Sequence, residues 1–492
     1  MRRQFSSAGL LTMFVLAAVF ASGAAYETVR HNCLTSITNG DFWWHLRVGI
    51  GILQSYSLPH TGIYSQSVTI PWIASSWLYD VAIAAVYEAI GISIVVLLSV
   101  TLKLALAIIT FILAGGLRER FWTAICLSLL AQYALAALQP LPTYLSALLF
   151  AVELILLLDF RRTAQPRSLH WIPLLFLVWA NIDVQFVYGV IALLLFGTAS
   201  LLSLRGDGER SERLDSTALP SRQLGLATAA SLLATMLTPY GWKPYGVFFS
   251  QATSAANLYL PDHQALRFRT PQDYLVMLLA MAAFLSLGTR RSRDPFQIGL
   301  LVLCTLLAFR AQHDVWLLIV VSVAVLAASG EKSAGPKAAY LSGGQFAKAA
   351  VLAMAMLIFV TARFFPRGND AVIAEMQQTF PVQAANYIRD NHLPQPLFNP
   401  FPWGGFLAWY LPEYPVAIDG RTDLYGDNFN IYYAKTMNAE QHYSTFAPLN
   451  QAATLLLEKN SLMGKALPGA AGFKLVYEDD TAVVLLREGP TP

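Results

Sequence analysis

Residues 91–115 read GISIVVLLSVTLKLALAIITFILAG, an apolar run whose single charged residue is Lys103. A helix needs about 20 mostly apolar residues to cross a bilayer, and this run is long enough. Hydrophobic residues make up 55% of the 492 positions and charged residues only 13%, against roughly 25% charged residues in ordinary soluble domains. The run and the composition together predict an integral membrane protein.

Further apolar runs along the chain repeat this pattern, although several are short. The sequence therefore predicts an α-helical polytopic membrane protein with about eleven transmembrane helices. The predicted runs lie near 8–25, 91–115, 119–137, 141–160, 171–182, 185–204, 223–238, 272–289, 295–310, 314–329 and 347–365.

The orientation follows from the short loops that collect Lys and Arg, which favour the cytoplasmic side. Such clusters fall between alternate runs, at residues 2–3, 118–120, 161–162, 205–222, 290–293 and 332–337. Placing all of them in the cytoplasm predicts a cytoplasmic N-terminus, an odd number of crossings and an extracytoplasmic C-terminal domain.

Two segments allow other interpretations. Trp77–Ile90 is apolar but short and carries Asp80 and Glu88, so we interpret it as an interfacial helix. Counting it as a span would invert the orientation of the following helices. The first run follows two arginines and ends in small residues at 21–25, a pattern that is also typical of a cleavable signal peptide.

Several function classes are disfavoured. The net charge of +3 and the lack of a basic run argue against nucleic-acid binding. The cytoplasmic loops contain no glycine-rich phosphate loop, which argues against an ATP-driven pump and against a soluble nucleotide sugar bound there. The cysteines, Cys33, Cys126 and Cys304, have neither zinc spacing nor a disulfide pattern.

The first outer loop contains an unusual stretch, NGDFWWHLR at residues 39–47. Trp43, Trp44, Trp72 and Trp77 are predicted to lie at the headgroup level of the membrane. Asp41 would then lie at the membrane–water interface, where partial desolvation raises the proton affinity of a general base. The alternative, favoured by spacing alone, is that Asp41 only caps the helix that follows.

Other polar residues fall at the outer ends of predicted spans, namely Asp183, Lys243, Arg310 and His313. Together with Asp41, these ends predict a charged cavity on the outer face, in which Lys and Arg suit a lipid-linked phosphate. The structural alternatives are an ion pair between Arg310 and Asp314 and a Lys243 side chain that snorkels to the headgroups.

The composition changes near residue 366 and predicts a small soluble α/β domain. A helix is predicted over 381–391, and strands over 416–418, 454–457, 474–477 and 482–486. The densest motifs are NPFPWGGFL at 399–407 and PVAIDGRTDLYG at 415–426. Asp419 and Arg421 either bind a ligand at a strand end or form an ion pair across an Asp-Gly turn.

At these residues the sequence resembles a family of bacterial polytopic proteins related to the GT-C glycosyltransferases, which include dolichyl-phosphate-mannose and aminoarabinose transferases. The resemblance is carried by DFWWHLRVG at 41–49 and by WGGFL at 403–407 with VAIDGR at 416–421. It implies a catalytic carboxylate in the first outer loop, at the position of Asp41, and a polyprenyl-phosphate sugar donor. Lys243 or Arg310 would stabilise the departing phosphate.

One departure from the family pattern concerns the metal. Relatives tend to have His-Gly soon after Trp-Ala-Asn, whereas this chain has Ile182-Asp183-Val184-Gln185. Asp183 either replaces a metal ligand or changes the substrate. The cofactor is therefore unknown, and a role for a divalent metal is left open.

The sequence thus predicts a membrane glycosyltransferase at the outer face of the bacterial cytoplasmic membrane, which transfers a sugar to an envelope glycan, lipid or protein. We predict a transmembrane domain at 1–365, with the first outer loop and its interfacial helices at 26–90, and a soluble domain at 366–492. The alternatives are a lipid-linked-glycan transporter or a non-catalytic assembly protein. Asp41 is the predicted catalytic residue, and the predicted substrate-binding residues are His45, Arg47, Asp183, Lys243, Arg310, His313, Asp419 and Arg421.

Overall fold

The structure is a computed structural model that describes residues 39–67, 69–116, 121–136, 138–206, 221–328 and 369–488. The predicted runs near 8–25 and 347–365 lie outside these residues, and so does the choice between a first helix and a signal peptide. The basic clusters at 2–3, 118–120 and 332–337 lie outside them as well.

Helices dominate the described chain as far as residue 328. They are α1 (Gly40–Ser55), α2 (Trp77–Ile90), α3 (Ile94–Leu113), α4 (Phe121–Ala134), α5 (Pro142–Thr163), α6 (Ile172–Trp179), α7 (Phe186–Gly206), α8 (Ser221–Thr235), α9 (Lys243–Thr253), α10 (Pro271–Thr289), α11 (Pro295–Arg310) and α12 (Val315–Ala328).

Helices and short strands alternate after residue 369. They are α13 (Asn369–Met376), α14 (Val382–Asp390), β1 (Leu397–Phe398), α15 (Phe401–Tyr410), α16 (Thr422–Met437), α17 (Ala447–Gln451), β2 (Thr454–Glu458), α18 (Leu462–Ala466), β3 (Phe473–Glu478) and β4 (Ala482–Arg487). Gly426 interrupts α16, because its backbone is left-handed with a φ of 75°.

Backbone contacts divide the chain into two compact units. The helical unit contains the described residues between 98 and 242 and between 262 and 365. The mixed unit contains the described residues between 33 and 97, between 243 and 261, and from 366 onward. The first outer loop therefore belongs to the same unit as the C-terminal segment. The predicted domain division after residue 365 stays a prediction.

The helical unit is built from apolar helices. Each predicted run within the described residues coincides with a helix, and the long helix α5 shows why. Pro142 opens it, where the missing N–H costs nothing, and Ala164 ends it in a left-handed conformation with a φ of 53°.

Two described helices, α5 and α10, are long and apolar enough to cross a membrane. The number rises to three if the bent pair Trp77–Ser93 and Leu97–Leu113 forms one span. Five further apolar stretches in the described residues are only 10 to 17 residues long, at Trp122–Ala134, Leu169–Trp179, Phe186–Leu202, Pro295–Arg310 and Gln312–Ala328. The count of about eleven spans therefore stays a prediction.

The mixed unit contains a four-stranded sheet in the order β1-β2-β4-β3. β1 and β2 are parallel, and the other neighbours are antiparallel, with Leu455 opposite Leu485. The sheet buries apolar side chains that include Phe398, Leu457 and Val483. The predicted strands β2, β3 and β4 and the predicted helix α14 are confirmed.

The strand predicted at 416–418 is wrong. Val416 forms a single bridge to Ser65 of the first outer loop, and no strand continues from it. The Asn399 side chain occupies the backbone groups that a ladder would use, because its Oδ1 accepts from Ala417 N–H and its Nδ2 donates to the Ile418 carbonyl. The two-residue strand β1 was not predicted because it is too short for a periodic pattern.

Candidate functional site

Asp41 lies in the first turn of α1 and does not cap it. The cap is Asn39, whose Oδ1 accepts from the Asp41 backbone N–H at 2.6 Å. The capping interpretation of Asp41 is therefore wrong. Its carboxylate Oδ1 instead accepts from the indole Nε1–H of Trp44 at 3.2 Å, and the residue is partly exposed.

The Asp41 carboxylate rests on the backbone of Gly420. A Cβ atom at Gly420 would lie 1.6 Å from Asp41 Oδ1, so no other residue fits there without a shift. Two more glycines allow the same segments to meet, because a Cβ at Gly40 would lie 2.3 Å from the Pro402 carbonyl oxygen and one at Gly405 would lie 2.1 Å from the Gly40 oxygen. The two densest sequence motifs thus form one contact within the mixed unit.

Asp419 and Arg421 form a buried ion pair on either side of Gly420. Arg421 Nη2 donates to Asp419 Oδ2 at 2.6 Å, and Nη1 donates to the Ile63 carbonyl at 2.8 Å. Burial disfavours the charge, but the Asp419 carboxylate holds the pKa of Arg421 above its usual range. Of the two interpretations made from the sequence, the structure shows the ion pair, and both side chains are almost fully buried.

Trp72 and Asp423 extend this contact. The Trp72 indole donates to Asp423 Oδ2 at 3.1 Å, and the Arg421 guanidinium lies over the Trp72 ring, 5.1 Å from its centroid. Asp423 is exposed to solvent on one side, yet the surrounding protein desolvates its carboxylate and raises its pKa to about 6. The first outer loop is thus held to the segment that follows Gly420.

Two of the predicted interfacial tryptophans are buried. Trp43 is fully buried and stacks on Trp409 at 4.5 Å, and Trp72 is 6% exposed. Both rings are packed inside the mixed unit, and the prediction that they lie at the headgroup level stays a prediction. The buried Trp43 ring stabilises the contact between α1 and α15, where it packs against Phe406 and Trp409.

Arg47 follows Asp41 and Trp44 on α1 at intervals of three residues. Asp41 and Arg47 are about 9 Å apart along the helix axis and about 120° apart around it. The Arg47 guanidinium lies 4.4 Å from the centroid of the Tyr64 ring. Its buried Nε has no hydrogen-bond partner among the described residues.

His45 is buried, with only 5% of the residue exposed. Its Nδ1 lies 2.6 Å from Asp80 Oδ1 on α2. The Gly49 backbone lies directly against the Asp80 carbonyl oxygen, which a Cβ at Gly49 would approach to 1.9 Å. His45 therefore contacts protein on the buried side of α1, and its predicted role in substrate binding stays a prediction.

The helical unit contains a second polar group. Asp183 Oδ2 accepts from Ser146 Oγ at 2.7 Å, and that hydroxyl in turn accepts from Trp179 Nε1–H at 2.7 Å. The Gln185 backbone N–H donates to Asp183 Oδ1 at 3.4 Å. Ser146 was missed in the sequence because a lone serine in an apolar run gives no signal.

The same region includes the turn that follows α11. Gln185 Nε2 lies 3.1 Å from His313 Nε2, and Tyr188 donates to Asp314 Oδ1 at 2.9 Å. The His263 ring stacks on His313 at 5.1 Å. Burial and the neighbouring His313 lower the pKa of His263 to about 4. Tyr188 and His263 were not predicted, since nothing near them in the sequence marks them.

The two predicted basic residues are both exposed. Arg310 is the last residue of α11 in the helical unit, and Lys243 is the first residue of α9 in the mixed unit. The expectation that Asp41, Asp183, Lys243 and Arg310 line one cavity stays a prediction. Within the described residues, no group of three or more His, Cys, Asp or Glu side chains could hold a metal ion.

Comparison with solved structures gives the fold. The chain is 12% identical to ArnT from Cupriavidus metallidurans bound to undecaprenyl phosphate, with a TM-score of 0.50 and 98% of each chain covered. The apo form of that protein matches at 13% identity and a TM-score of 0.50, over 97% of this chain and 98% of the other.

The oligosaccharyltransferase of Archaeoglobus fulgidus, tethered to an acceptor peptide, matches at 10% identity and a TM-score of 0.51, over 92% of this chain and 69% of the other. No protein-family model and no curated protein matches the chain in sequence. At these identities the likeness concerns the fold, and it confirms the resemblance that the sequence motifs indicated. The chain is predominantly helical and has the fold of ArnT and of the archaeal oligosaccharyltransferase.

Proposed function

We propose that the protein is a GT-C-type glycosyltransferase that transfers a sugar from a polyprenyl-phosphate carrier to an envelope glycan, lipid or protein. The single observation that carries this proposal is the Asp41 carboxylate, which is partly exposed, is held by the Trp44 indole and rests on the Gly420 backbone. The fold supports the donor class, because an ArnT structure with the same fold contains undecaprenyl phosphate.

Asp41 acts as the general base in this proposal. Its carboxylate takes the proton of an acceptor hydroxyl while the acceptor oxygen forms a bond to the anomeric carbon of the donor sugar. The bond from that carbon to the phosphate oxygen breaks, and polyprenyl phosphate leaves with the electron pair. Attack from the face opposite the phosphate inverts the anomeric configuration. A well-placed base contributes about 10²- to 10⁴-fold to such a step.

Arg47 is the residue that we assign to the donor phosphate. It lies less than two turns after Asp41 on α1, its guanidinium is held over Tyr64, and its buried Nε has no hydrogen-bond partner among the described residues. A guanidinium can form two parallel hydrogen bonds to a phosphate. Arg47 lies about 9 Å from Asp41 along the helix axis.

The other predicted residues have supporting roles in the proposal. Lys243 of the mixed unit and Arg310 of the helical unit are exposed cations, and their roles and those of Asp183 and His313 in substrate binding stay predictions. Asp419 and Arg421 act indirectly, since their ion pair holds Gly420 beneath Asp41. We place the protein in the bacterial inner membrane, with its N-terminus in the cytoplasm and residues 366–492 outside.

The test uses a strain that lacks the protein. We expect a polyprenyl-phosphate sugar to accumulate and an envelope glycan, lipid or protein to lose that sugar. Wild-type protein should restore the product, whereas Asp41→Asn should lower the transfer rate by about 10²- to 10⁴-fold with normal folding. The matched control is Asp480→Asn, an exposed aspartate in the turn between β3 and β4, which should restore transfer fully.

Arg47→Met sharpens the assignment when purified protein is supplied with undecaprenyl-phosphate-linked hexoses and pentoses. We expect KM for the donor to rise, with Arg389→Met, an exposed arginine of the same unit, as the control. Full transfer by Asp41→Asn, or no change in any lipid-linked sugar on deletion, would contradict the proposed function.

Transport of a lipid-linked glycan is a second candidate that one observation favours. Glu153 on α5 is fully buried, and neither carboxylate oxygen has a hydrogen-bond partner among the described residues. Ionisable side chains inside membrane helices often mark transport pathways. If the protein is a transporter, Glu153→Gln should abolish the movement of lipid-linked glycan to the outer leaflet, and Asp41→Asn should leave it unchanged.

A further inference from the structure

A continuous chain of contacts leads from the Asp80 carboxylate through the rings of His45 and Trp44 to the Asp41 carboxylate, which is the proposed base. Asp80 Oδ1 lies 2.6 Å from His45 Nδ1, and the His45 ring stacks on the Trp44 indole with ring centroids 3.5 Å apart and planes 27° apart. The indole Nε1–H then donates to Asp41 Oδ1 at 3.2 Å. The order of contacts is Asp80, His45, Trp44 and Asp41.

The inner end of this chain is rigid. Asp80 is fully buried, and the backbone of Gly49 packs directly on its carbonyl oxygen. The edge of the His45 ring meets the Tyr79 ring at 5.3 Å and 83°. A side chain fixed on several sides keeps one rotamer, so the imidazole presents a fixed face to the indole.

The outer end of the chain is less enclosed. Trp44 and Asp41 are partly exposed, and the Trp44 ring makes a second, edge-to-face contact with Trp72 at 6.1 Å. A partly exposed indole has rotamer freedom unless a neighbour restricts it. The stack on His45 supplies that restriction, and the Asp41 carboxylate is oriented through it.

We propose that His45, anchored by Asp80, is a positioning residue that fixes the Trp44 indole and thereby orients the Asp41 carboxylate toward the acceptor hydroxyl. This inference rests on the proposed function. It assigns to His45 an indirect role in the chemical step instead of contact with substrate. Misplacement of a reacting group by about 1 Å lowers rates by up to about 100-fold, so the orientation has a measurable effect.

Two conservative variants test the chain at different links. His45→Phe keeps a ring for the stack but removes the bond to Asp80, and Asp80→Asn keeps a hydrogen-bonding group but removes the charge. His45→Ala leaves a cavity that could prevent folding, so it is not used. The control is His60→Gln, an exposed histidine of the same outer loop.

The first measurement is independent of activity. In full-length protein labelled with ¹⁵N at the tryptophan indoles, the Trp44 Nε1–H resonance is assigned by its loss in Trp44→Phe. We expect this resonance to move in His45→Phe and in Asp80→Asn and to stay in place in His60→Gln. An unchanged resonance in both chain variants would overturn the inference.

The second measurement uses the undecaprenyl-phosphate-linked sugar that the wild-type protein consumes. We expect kcat to fall by about 10- to 100-fold in His45→Phe with KM unchanged. In Asp80→Asn we expect a smaller decrease in kcat. A shifted resonance with unchanged kcat, or a rise in KM alone, would also overturn the inference.

Failure of the proposed function is a separate result. It is recognised by full transfer in Asp41→Asn, whatever the Trp44 resonance does in the His45 and Asp80 variants. In that case the Trp44 resonance still reports whether the chain of contacts exists, and only the proposed catalytic role of that chain is refuted.

Discussion

The two units organise their polar side chains in different ways. In the mixed unit, Asp41 meets Gly420 across a separation of hundreds of residues, and glycines on both sides allow backbones to touch. In the helical unit, Asp183 and Gln185 precede one apolar helix, and His313 and Asp314 precede another. The first group depends on close backbone packing, and the second depends on side-chain hydrogen bonds between the ends of helices. Substitutions should therefore affect the two units through different mechanisms.

The largest effect is expected from the buried ion pair of the mixed unit. Asp419→Ala leaves the Arg421 guanidinium buried without its carboxylate, which should lower the free energy of unfolding by about 3–5 kcal/mol. Denaturant unfolding of the purified protein measures this change. Glu478→Gln, which breaks the exposed pair with Lys459, should leave the free energy of unfolding almost unchanged, because water screens the two charges. Equal effects would show that the Asp419 pair is no more important than a surface contact.

A smaller effect is expected from the backbone contact. Gly420→Ala places a Cβ against Asp41 Oδ1, so the segments must separate, at a cost of about 1–3 kcal/mol. The control is Gly469→Ala, because a Cβ at Gly469 meets no atom within 4 Å. Thermal unfolding and the transfer rate should both change in Gly420→Ala and neither should change in Gly469→Ala. A neutral Gly420→Ala would refute the importance of close packing.

The helical unit should respond through hydrogen bonds. Ser146→Ala removes the acceptor of the Trp179 indole and the donor to Asp183, which should cost about 1–2 kcal/mol. Ser322→Ala is the matched control, because Ser322 is equally buried and its Oγ has no hydrogen-bond partner among the described residues. Unfolding in detergent compares the two variants, and a loss in Ser322→Ala as large as in Ser146→Ala would contradict the distinction.

The smallest effect concerns pH in the mixed unit. The pKa of Asp423 is about 6 in the folded protein and 3.8 without the fold, so the folded state binds the proton more tightly. The contribution of Asp423 to stability is therefore fully present below pH 3.8 and is lost as the pH rises through 6. Asp423→Asn should remove this dependence, and the Trp72 indole resonance should titrate near pH 6 only in the wild type. A Trp72 titration that persists in Asp423→Asn would assign it to another group.

Much of the fold could be predicted from the sequence, because apolar runs and strand patterns are local signals. The helices of the helical unit and the strands β2, β3 and β4 follow directly from them. The prediction of a strand at 416–418 failed because the Asn399 side chain, which comes from another part of the chain, forms hydrogen bonds with the backbone of Ala417 and Ile418. Local apolar character could not reveal that competition.

The candidate site was predictable only in part. The sequence marked Asp41, the glycines at 404–405 and the Asp419–Arg421 segment as unusual, but a carboxylate near a helix start has the same pattern as a cap. The structure distinguishes the two interpretations, since Asn39, and not Asp41, is the N-cap residue of α1. It also placed His45 against Asp80, a partner that lies on a different helix.

The sequence by itself determined where the apolar helices lie and which motifs are unusual, because hydrophobic length and periodicity act over a few turns. Only the tertiary structure decided that the first outer loop and the C-terminal segment form one unit, and that Asp419 and Arg421 support the site from within. The physical reason is that these contacts between distant segments depend on the absence of a Cβ atom at Gly40, Gly405 and Gly420. The sequence shows the glycines but does not show which backbone segments they contact.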